Sequence, residues 1–319
     1  MAIEQAITTV VRKPWGSTDL RPWSELHDEA VAVGELWFQR AKAGAPDTTL
    51  LLKLLFTQEP LSIQVHPDDA FAHSLGMENG KTEAWYILSA MPGAKVAVGL
   101  KRRLAAAQLR ASIEDGSIAS LIKWRSVQED EVIFVPAGTI HAIGAGLVIA
   151  EIQQRSDATF RLFDFGRHRE LHIDNAVAAA NRGPPEDPLM PRRLSDARTL
   201  LVAGPFFVLE RIELAAHSTW EIRAERETWL LVLDGNARIG TMKLFVGEAI
   251  FLEADQTGIV VGPDGLKGLL AYVATAPSAG LLEDLGGQDA DMSIRHVAKL
   301  PLHSPTPAAL PTSPTEVRT

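Results

Sequence analysis

The sequence contains no cysteine. Structural disulfides and cysteine-based zinc sites are therefore excluded. Any bound metal must be held by histidine, carboxylate or amide groups. Basic residues are also in short supply: 31 Lys and Arg stand against 40 Asp and Glu, a net charge of −9. That balance argues against a nucleic-acid or membrane-surface role, which would need basic patches. The opening residues, MAIEQAITTVVRKPWG, hold no secretory apolar core, and no apolar run reaches the length of a membrane span. No Gly-x-Gly-x-x-Gly follows a strand-like segment, so nothing points to a nicotinamide or flavin site. These absences lead to the expectation of a cytoplasmic protein with no nucleic-acid or membrane partner. They leave the oligomeric state open.

What is present is 319 residues, 46% of them hydrophobic, enough for one large or two ordinary domains. Residues 1–60 mix short strand-like runs with turns, among them KPWG at Lys13–Gly16 and GELWF at Gly34–Phe38. Residues 101–124 are rich in Ala and Leu and read as helical, with a break at Gly116. From Glu131 short strand-like segments follow one another, punctuated by Gly and Pro. Residues 183–194 are proline-rich and read as a linker. A second series of short strands occupies 195–300, and the two β series are compatible with a diverged duplication. Residues 301–319, rich in Pro, Ser and Thr, are expected to be a disordered tail.

The chemistry is concentrated in three segments. In LSIQVHPDD, from Leu61, the apolar Ile63 and Val65 alternate with Gln64 and His66. Alternation of period two puts Gln64 and His66 on one sheet face, roughly 7 Å apart along the strand. Pro67, Asp68 and Asp69 then suit the first turn of a short helix. The chain returns as KTEAWYIL, placing Lys81, Glu83 and Trp85 on one face. A polar face inside an apolar strand is costly unless it is partnered, and a cation shared by Gln64, His66 and Glu83 would partner it. In EVIFVPAGTIHAI, Pro136 and Gly138 turn the chain and His141 opens the next strand. This Pro-x-Gly-x-x-His resembles the second motif of the cupin superfamily, in which the turn aims a histidine into the mouth of a small β-barrel. The usual first cupin motif, His-x-His followed closely by Glu, is absent: Pro67 and Asp68 follow His66, and Glu83 comes much later.

The combination of QVHPDD, GKTEAWYIL and PAGTIHAIGAGLVIAEIQQRSDATFRLFDFGR resembles the type I mannose-6-phosphate isomerases, particularly their short bacterial form. KPWG, GELW and LLLKLLFTQEPLSIQVHP match family segments as well. The resemblance covers roughly residues 10–175. It implies a mainly β fold of two cupin-type jelly-roll barrels with a helical insertion near 101–124. Residues 1–182 would be the metal-binding catalytic barrel and 195–300 a second, non-catalytic one. It also implies one Zn²⁺ per chain, held by Gln64, His66, Glu83 and His141. The activity implied is interconversion of mannose 6-phosphate and fructose 6-phosphate through an enediol. Lys53 in the apolar LLLKLL, Lys81 and Arg161 would belong to the substrate site, where their charge suits a sugar phosphate. Glu151 and Gln153 share a face of LVIAEIQQ and are placed to support the metal from behind. Asp157 is expected to stabilise a turn. The base that moves the proton is left open among Lys81, His66 and a carboxylate of the 164–174 segment.

Two rival readings are a cupin oxygenase, which oxygen consumption would reveal, and a non-catalytic sugar-phosphate-binding cupin. A rival zinc site, HRELH at His168–His172, lacks the glutamate directly after the first histidine that a metalloprotease helix requires. The second β series has no Pro-x-Gly-x-x-His, and between Phe206 and Ala274 its only histidine is His217, with no ligand set around it; it reads as a structural barrel.

Overall fold

The structure is a computed structural model that describes residues 2–185 and 189–286. The chain begins with β1 (Ala2–Gln5), β2 (Ile7–Ser17), β3 (Val33–Gln39), β4 (Leu50–Thr57) and β5 (Ile63–Val65). A short helix, α1 (Asp69–Ser74), leads to β6 (Glu83–Ala90) and β7 (Lys95–Leu100). Asp68 caps α1 by accepting from the Phe71 N–H, so of the three residues expected in the first turn Pro67 and Asp68 precede the helix and Asp69 alone lies in it. Helices α2 (Ala106–Glu114) and α3 (Ile118–Leu121) follow, separated at Gly116, and then β8 (Ile122–Ser126) takes over the end of the expected helical segment. The first half closes with β9 (Val132–Val135), β10 (His141–Ile143), β11 (Leu147–Gln154), β12 (Phe160–Phe163) and α4 (Ile173–Ala179).

Among the described residues the regular elements of the second half are all strands: β13 (Arg192–Arg193), β14 (Arg198–Ala203), β15 (Val208–Leu214), β16 (Thr219–Ala224) and β17 (Thr228–Ile239). There follow β18 (Met242–Leu244), β19 (Ala249–Glu253), β20 (Asp255–Tyr272) and β21 (Leu282–Asp284). The protein is mainly β, as expected. Residues 301–319 lie outside the described residues. Among the described residues no helix is long and apolar enough to cross a membrane.

Two sheets enclose the first barrel, one in the order β2-β3-β4-β11-β6-β9 and one in the order β12-β5-β10-β7-β8. The third sheet builds the second barrel and includes β1, which pairs with β19. The chain therefore starts on the second barrel's sheet before entering the first.

Alternation along the central strands decides what each face meets. On β4 and β6, Leu52, Leu54, Phe56, Ala84, Tyr86 and Leu88 turn outward into a core shared with Leu209, Trp229, Leu231 and Phe251 of the second barrel. The intervening Leu55, Trp85 and Ile87 turn inward with Ile149 of β11. Lys53, Glu83 and Glu151 are in phase with this inward set, so the polar residues of the first barrel converge in its interior.

Candidate functional site

Strand register sets out the site in two facing rows. In one sheet Gln64 of β5 lies opposite His141 of β10 on one side and Arg161 of β12 on the other. In the other sheet Trp85 lies opposite Glu151, Glu151 opposite Lys53, and Lys53 opposite Trp37. Glu83 stands two residues before Trp85, on the same face. His66 follows the end of β5, and its carbonyl accepts from the Gly138 N–H, which ties it to the turn before His141.

His66, Glu83 and His141 form a compact three-residue group, with ligand atoms all within 4.8 Å of one another. His66 Nε2 lies 3.4 Å from Glu83 Oε2, and His141 Nε2 lies 3.4 Å from Glu83 Oε1. The opposite ring nitrogens settle the tautomers. His66 Nδ1 is 2.7 Å from the Ala158 carbonyl and His141 Nδ1 is 2.8 Å from the Thr139 carbonyl. A carbonyl can only accept, so both Nδ1 atoms carry the proton and donate it. In the neutral ring Nε2 is then a bare lone pair, and burial keeps the rings neutral. It pulls His66 down to about 3, helped by Lys81, and lowers His141 too.

The result is two imidazole lone pairs aimed at a carboxylate in the protein interior. His66 Nε2 and Glu83 Oε2 are buried without a hydrogen bond. Unpartnered atoms of that kind are costly, and a divalent cation between them removes the cost. The donor set, two nitrogens and a carboxylate oxygen, suits zinc or a similar ion. Gln64 sits beside it, its Nε2 3.3 Å from His141 Nε2. Turning the amide by 180° offers its oxygen as a fourth donor.

Glu83 also anchors the charges around the group. Lys81 Nζ is 3.1 Å from Glu83 Oε2 without hydrogen-bond alignment. Burial works to raise the Glu83 carboxyl, but Lys81 and His66 outweigh it and hold it well below the ordinary carboxylate range. Burial works against the Lys81 ammonium too, yet Glu83 and Glu151 keep its affinity for the proton above the ordinary lysine value. The Trp85 indole N–H reaches both Glu83 Oε1 and Glu151 Oε2, at 3.1 Å each. Glu151 in turn lies 3.3 Å from Lys53 Nζ. Burial and the neighbouring Glu83 push Glu151 up; burial pulls Lys53 down, only partly offset by Glu151.

Above these residues opens a cavity of about 290 Å³, near the lower end of the range for small-ligand pockets, ~300 Å³ upward. Gln64, Lys53, Lys81 and Arg161 all line it, together with Glu151 and Asp157. Arg161 is partly buried, its Nε lacks a hydrogen bond, and an Nη donates to the Glu170 carbonyl.

No family model matches the chain. A mannose-6-phosphate isomerase of Streptococcus mutans is 38% identical over 175 residues, which are 52% of this chain and 55% of that protein. A mannose-6-phosphate isomerase of Bacillus subtilis is 39% identical over 136 residues, 40% of this chain and 42% of that one. The matched part is thus about half the length of these curated relatives. The crystal structure of a mannose 6-phosphate isomerase from Bacillus subtilis superposes with a TM-score of 0.76 at 24% identity, covering 86% of this chain and 100% of that one.

The fold is that of the mannose-6-phosphate isomerases. The resemblance seen in the motifs is matched by these relatives over 40–52% of the chain. What the motifs missed comes from elsewhere. Lys13, Glu35 and Trp37 line the cavity from β2 and β3, and Arg169 lines it from the loop after β12. The signal for the first three was visible: KPWG and GELW read as turn-flanked family segments, but not as cavity wall. The Trp37 indole N–H donates to Glu35 Oε2 at 2.5 Å, and Lys53 Nζ lies 4.6 Å from the centre of the Trp37 ring.

The 164–174 segment offers no carboxylate to the cavity. Asp164 is bound by Arg167 and Arg169, and Glu170 and Asp174 are exposed. HRELH is not helical, since α4 begins only at Ile173. His172 Nδ1 accepts the Arg161 backbone N–H at 3.0 Å, so that imidazole shapes the wall carrying Arg161.

Proposed function

We propose that the protein is a metal-dependent aldose–ketose isomerase that interconverts mannose 6-phosphate and fructose 6-phosphate, with one Zn²⁺ held by His66, Glu83, His141 and Gln64. One observation carries this reading: a buried pair of unpartnered ligand atoms, His66 Nε2 and Glu83 Oε2, beneath a cavity lined by Lys13, Lys53, Lys81, Arg161 and Arg169. The likeness to mannose-6-phosphate isomerases in sequence and fold supports the substrate. When bound, the ion supplies polarisation of the sugar oxygens at C1 and C2.

The residues divide the remaining work. Going from aldose to ketose removes a proton from C2 and returns one to C1, through an enediol, while a proton also passes between the two oxygens. Glu151 is the group best suited to the carbon-bound proton. It is buried, it lines the cavity, and its burial beside Glu83 raises its affinity for a proton. His66 is a poor base here, because one nitrogen donates to Ala158 and the other faces Glu83. Lys81 keeps its proton and serves as a donor to developing negative charge on a substrate oxygen. Arg161 and Arg169 present guanidinium groups from the opposite wall to the anionic substrate.

The test is an anaerobic isomerase assay on purified protein with and without a chelator, with product formed in D₂O. Chelator-sensitive turnover with solvent deuterium in the product is expected. Oxygen-dependent product would instead establish an oxygenase, and tight sugar-phosphate binding without turnover a non-catalytic cupin.

A further inference from the structure

We propose that Lys13 is a further substrate-binding residue, one that takes the anionic end of the substrate, and that Gly34 and Glu35 are built to present it. The inference rests on the sugar-phosphate reading for the identity of the substrate, but not for the anion site itself.

Four cationic side chains besides Lys13 line the cavity, and three are already committed to carboxylates. Lys81 lies 3.1 Å from Glu83 and Lys53 3.3 Å from Glu151, while Arg169 gives its Nε to Asp164 at 2.8 Å. Among the described residues the Lys13 side chain makes no hydrogen bond, and its one ion-pair partner, Glu35 Oε1, stands 3.7 Å away. That carboxylate is shared: it also accepts from Trp37 and faces Lys53 at 3.9 Å. Glu35 therefore holds Lys13 loosely, leaving its donors for a ligand.

The backbone around Lys13 is arranged to aim it. The β2–β3 register breaks between Arg12 and Ser17, so Lys13, Pro14, Trp15 and Gly16 leave the ladder. Lys13 and Trp15 both line the cavity. Gly34 lies beneath them. A Cβ on Gly34 would come within 2.5 Å of Lys13 Cβ and Cγ and 2.9 Å of the Trp15 ring. Its φ is not in the left-handed region, so backbone freedom does not require glycine there. The space for the lysine stem does. A merely solvated surface lysine has no need of such a seat.

Position gives the ligand group. In the sheet order β2-β3-β4-β11-β6, Lys13 is on the strand farthest from the Glu83 strand. A substrate whose reacting carbons sit at His66, Glu83 and His141 extends its other end along these strands. In a hexose 6-phosphate that end is the phosphate, and an ammonium is a strong donor to phosphate oxygens.

The test uses full-length protein as wild type, Lys13→Met, Lys13→Arg and Gly34→Ala, with metal content and circular dichroism as controls for folding. Calorimetric titration with inorganic phosphate and with mannose 6-phosphate is the main readout. Lys13→Met and Gly34→Ala are expected to weaken phosphate binding about tenfold, and Lys13→Arg to recover most of it. In kinetics, KM for mannose 6-phosphate should rise more than kcat falls, and discrimination between mannose 6-phosphate and mannose should shrink about tenfold. Unchanged phosphate affinity in Lys13→Met, or no phosphate binding by the wild type, overturns the proposal. Lys13-dependent phosphate binding in a wild type without isomerase activity would instead refute the isomerase reading and leave the anion site standing.

Discussion

At the scale of single residues, the site is a problem in partnering buried charge. His66 and His141 are buried neutral rings fixed by Nδ1–H donation, and Glu83 is buried and ionised between them. His66→Ala, Glu83→Ala and His141→Ala are each expected to lose stoichiometric metal, and Gln64→Ala less of it, because an amide is the weakest of the four donors. Elemental analysis of folded variants checks this; full occupancy in His141→Ala would remove the site. On the proposed reading, in which both meet substrate charge, Arg161→Ala and Lys81→Ala should fold and keep metal but lose activity about a hundredfold or more. Unchanged turnover in both would exclude them from the mechanism.

The same burial sets a pH dependence. His66 takes its proton at about 3 in the folded protein against 6.5 ordinarily, so below about pH 6.5 the unfolded chain binds more protons than the folded one. The lowered Glu83 carboxyl acts in the same direction, with its contribution lost at lower pH. Stability of chelator-stripped protein should therefore fall on acidification, from about pH 6.5 toward 3, by up to about 1.4 kcal/mol per pH unit for His66. Denaturant melts across that range measure it, and a flat profile would contradict a buried neutral imidazole.

At the scale of elements, turns aim the ligands. Gly138 has a φ of 83°, and a Cβ there would meet the Ala179 carbonyl at 3.1 Å. Its N–H is bound by the His66 carbonyl, so the turn joins the segments carrying His66 and His141, the two proposed ligands. Gly138→Ala combines left-handed strain with a tight contact and should cost about 1–2 kcal/mol. Metal affinity should fall along with stability, which a melt and a zinc titration on one preparation would show. A stability loss with metal affinity intact would mean the turn does not position His141.

At the scale of the whole molecule, the two barrels share a core and specific polar contacts. Glu227, just before β17, accepts the backbone N–H groups of Thr49 and Leu50, the latter at 2.8 Å, at the start of the strand that carries Lys53. It also accepts the Trp229 indole N–H at 3.1 Å. Glu227→Ala strands two buried donors, the Leu50 N–H and the Trp229 indole N–H, together with the part-buried Thr49 N–H, and is expected to destabilise the protein by about 3 kcal/mol while leaving metal content unchanged. Amide exchange at Leu50 should accelerate with it. A neutral effect on both would mean that the shared apolar core alone couples the barrels.

Much of the site was legible because its chemistry is local. Alternation around Gln64 and His66, the Glu83 strand and the Pro-x-Gly turn before His141 each set side-chain direction within a few residues, and the structure brings those four together. The mainly β architecture followed from the same short-range patterns. What sequence order could not decide was which face meets which neighbour. Glu83-Ala84-Trp85 and Glu227-Thr228-Trp229 have the same local form, and in each the indole donates to the glutamate two residues before it at 3.1 Å. Yet Trp85 turns into the first barrel and Trp229 into the core between the barrels, so one glutamate meets His66 and His141 and the other holds a neighbouring strand. A strand's alternation specifies two faces and leaves their assignment to packing, because a shift of one residue exchanges them. For the same reason Lys13, Glu35 and Trp37 became cavity wall only when β2 and β3 were laid beside β4, and the single-residue patterns of KPWG and GELW contain no statement of that neighbour.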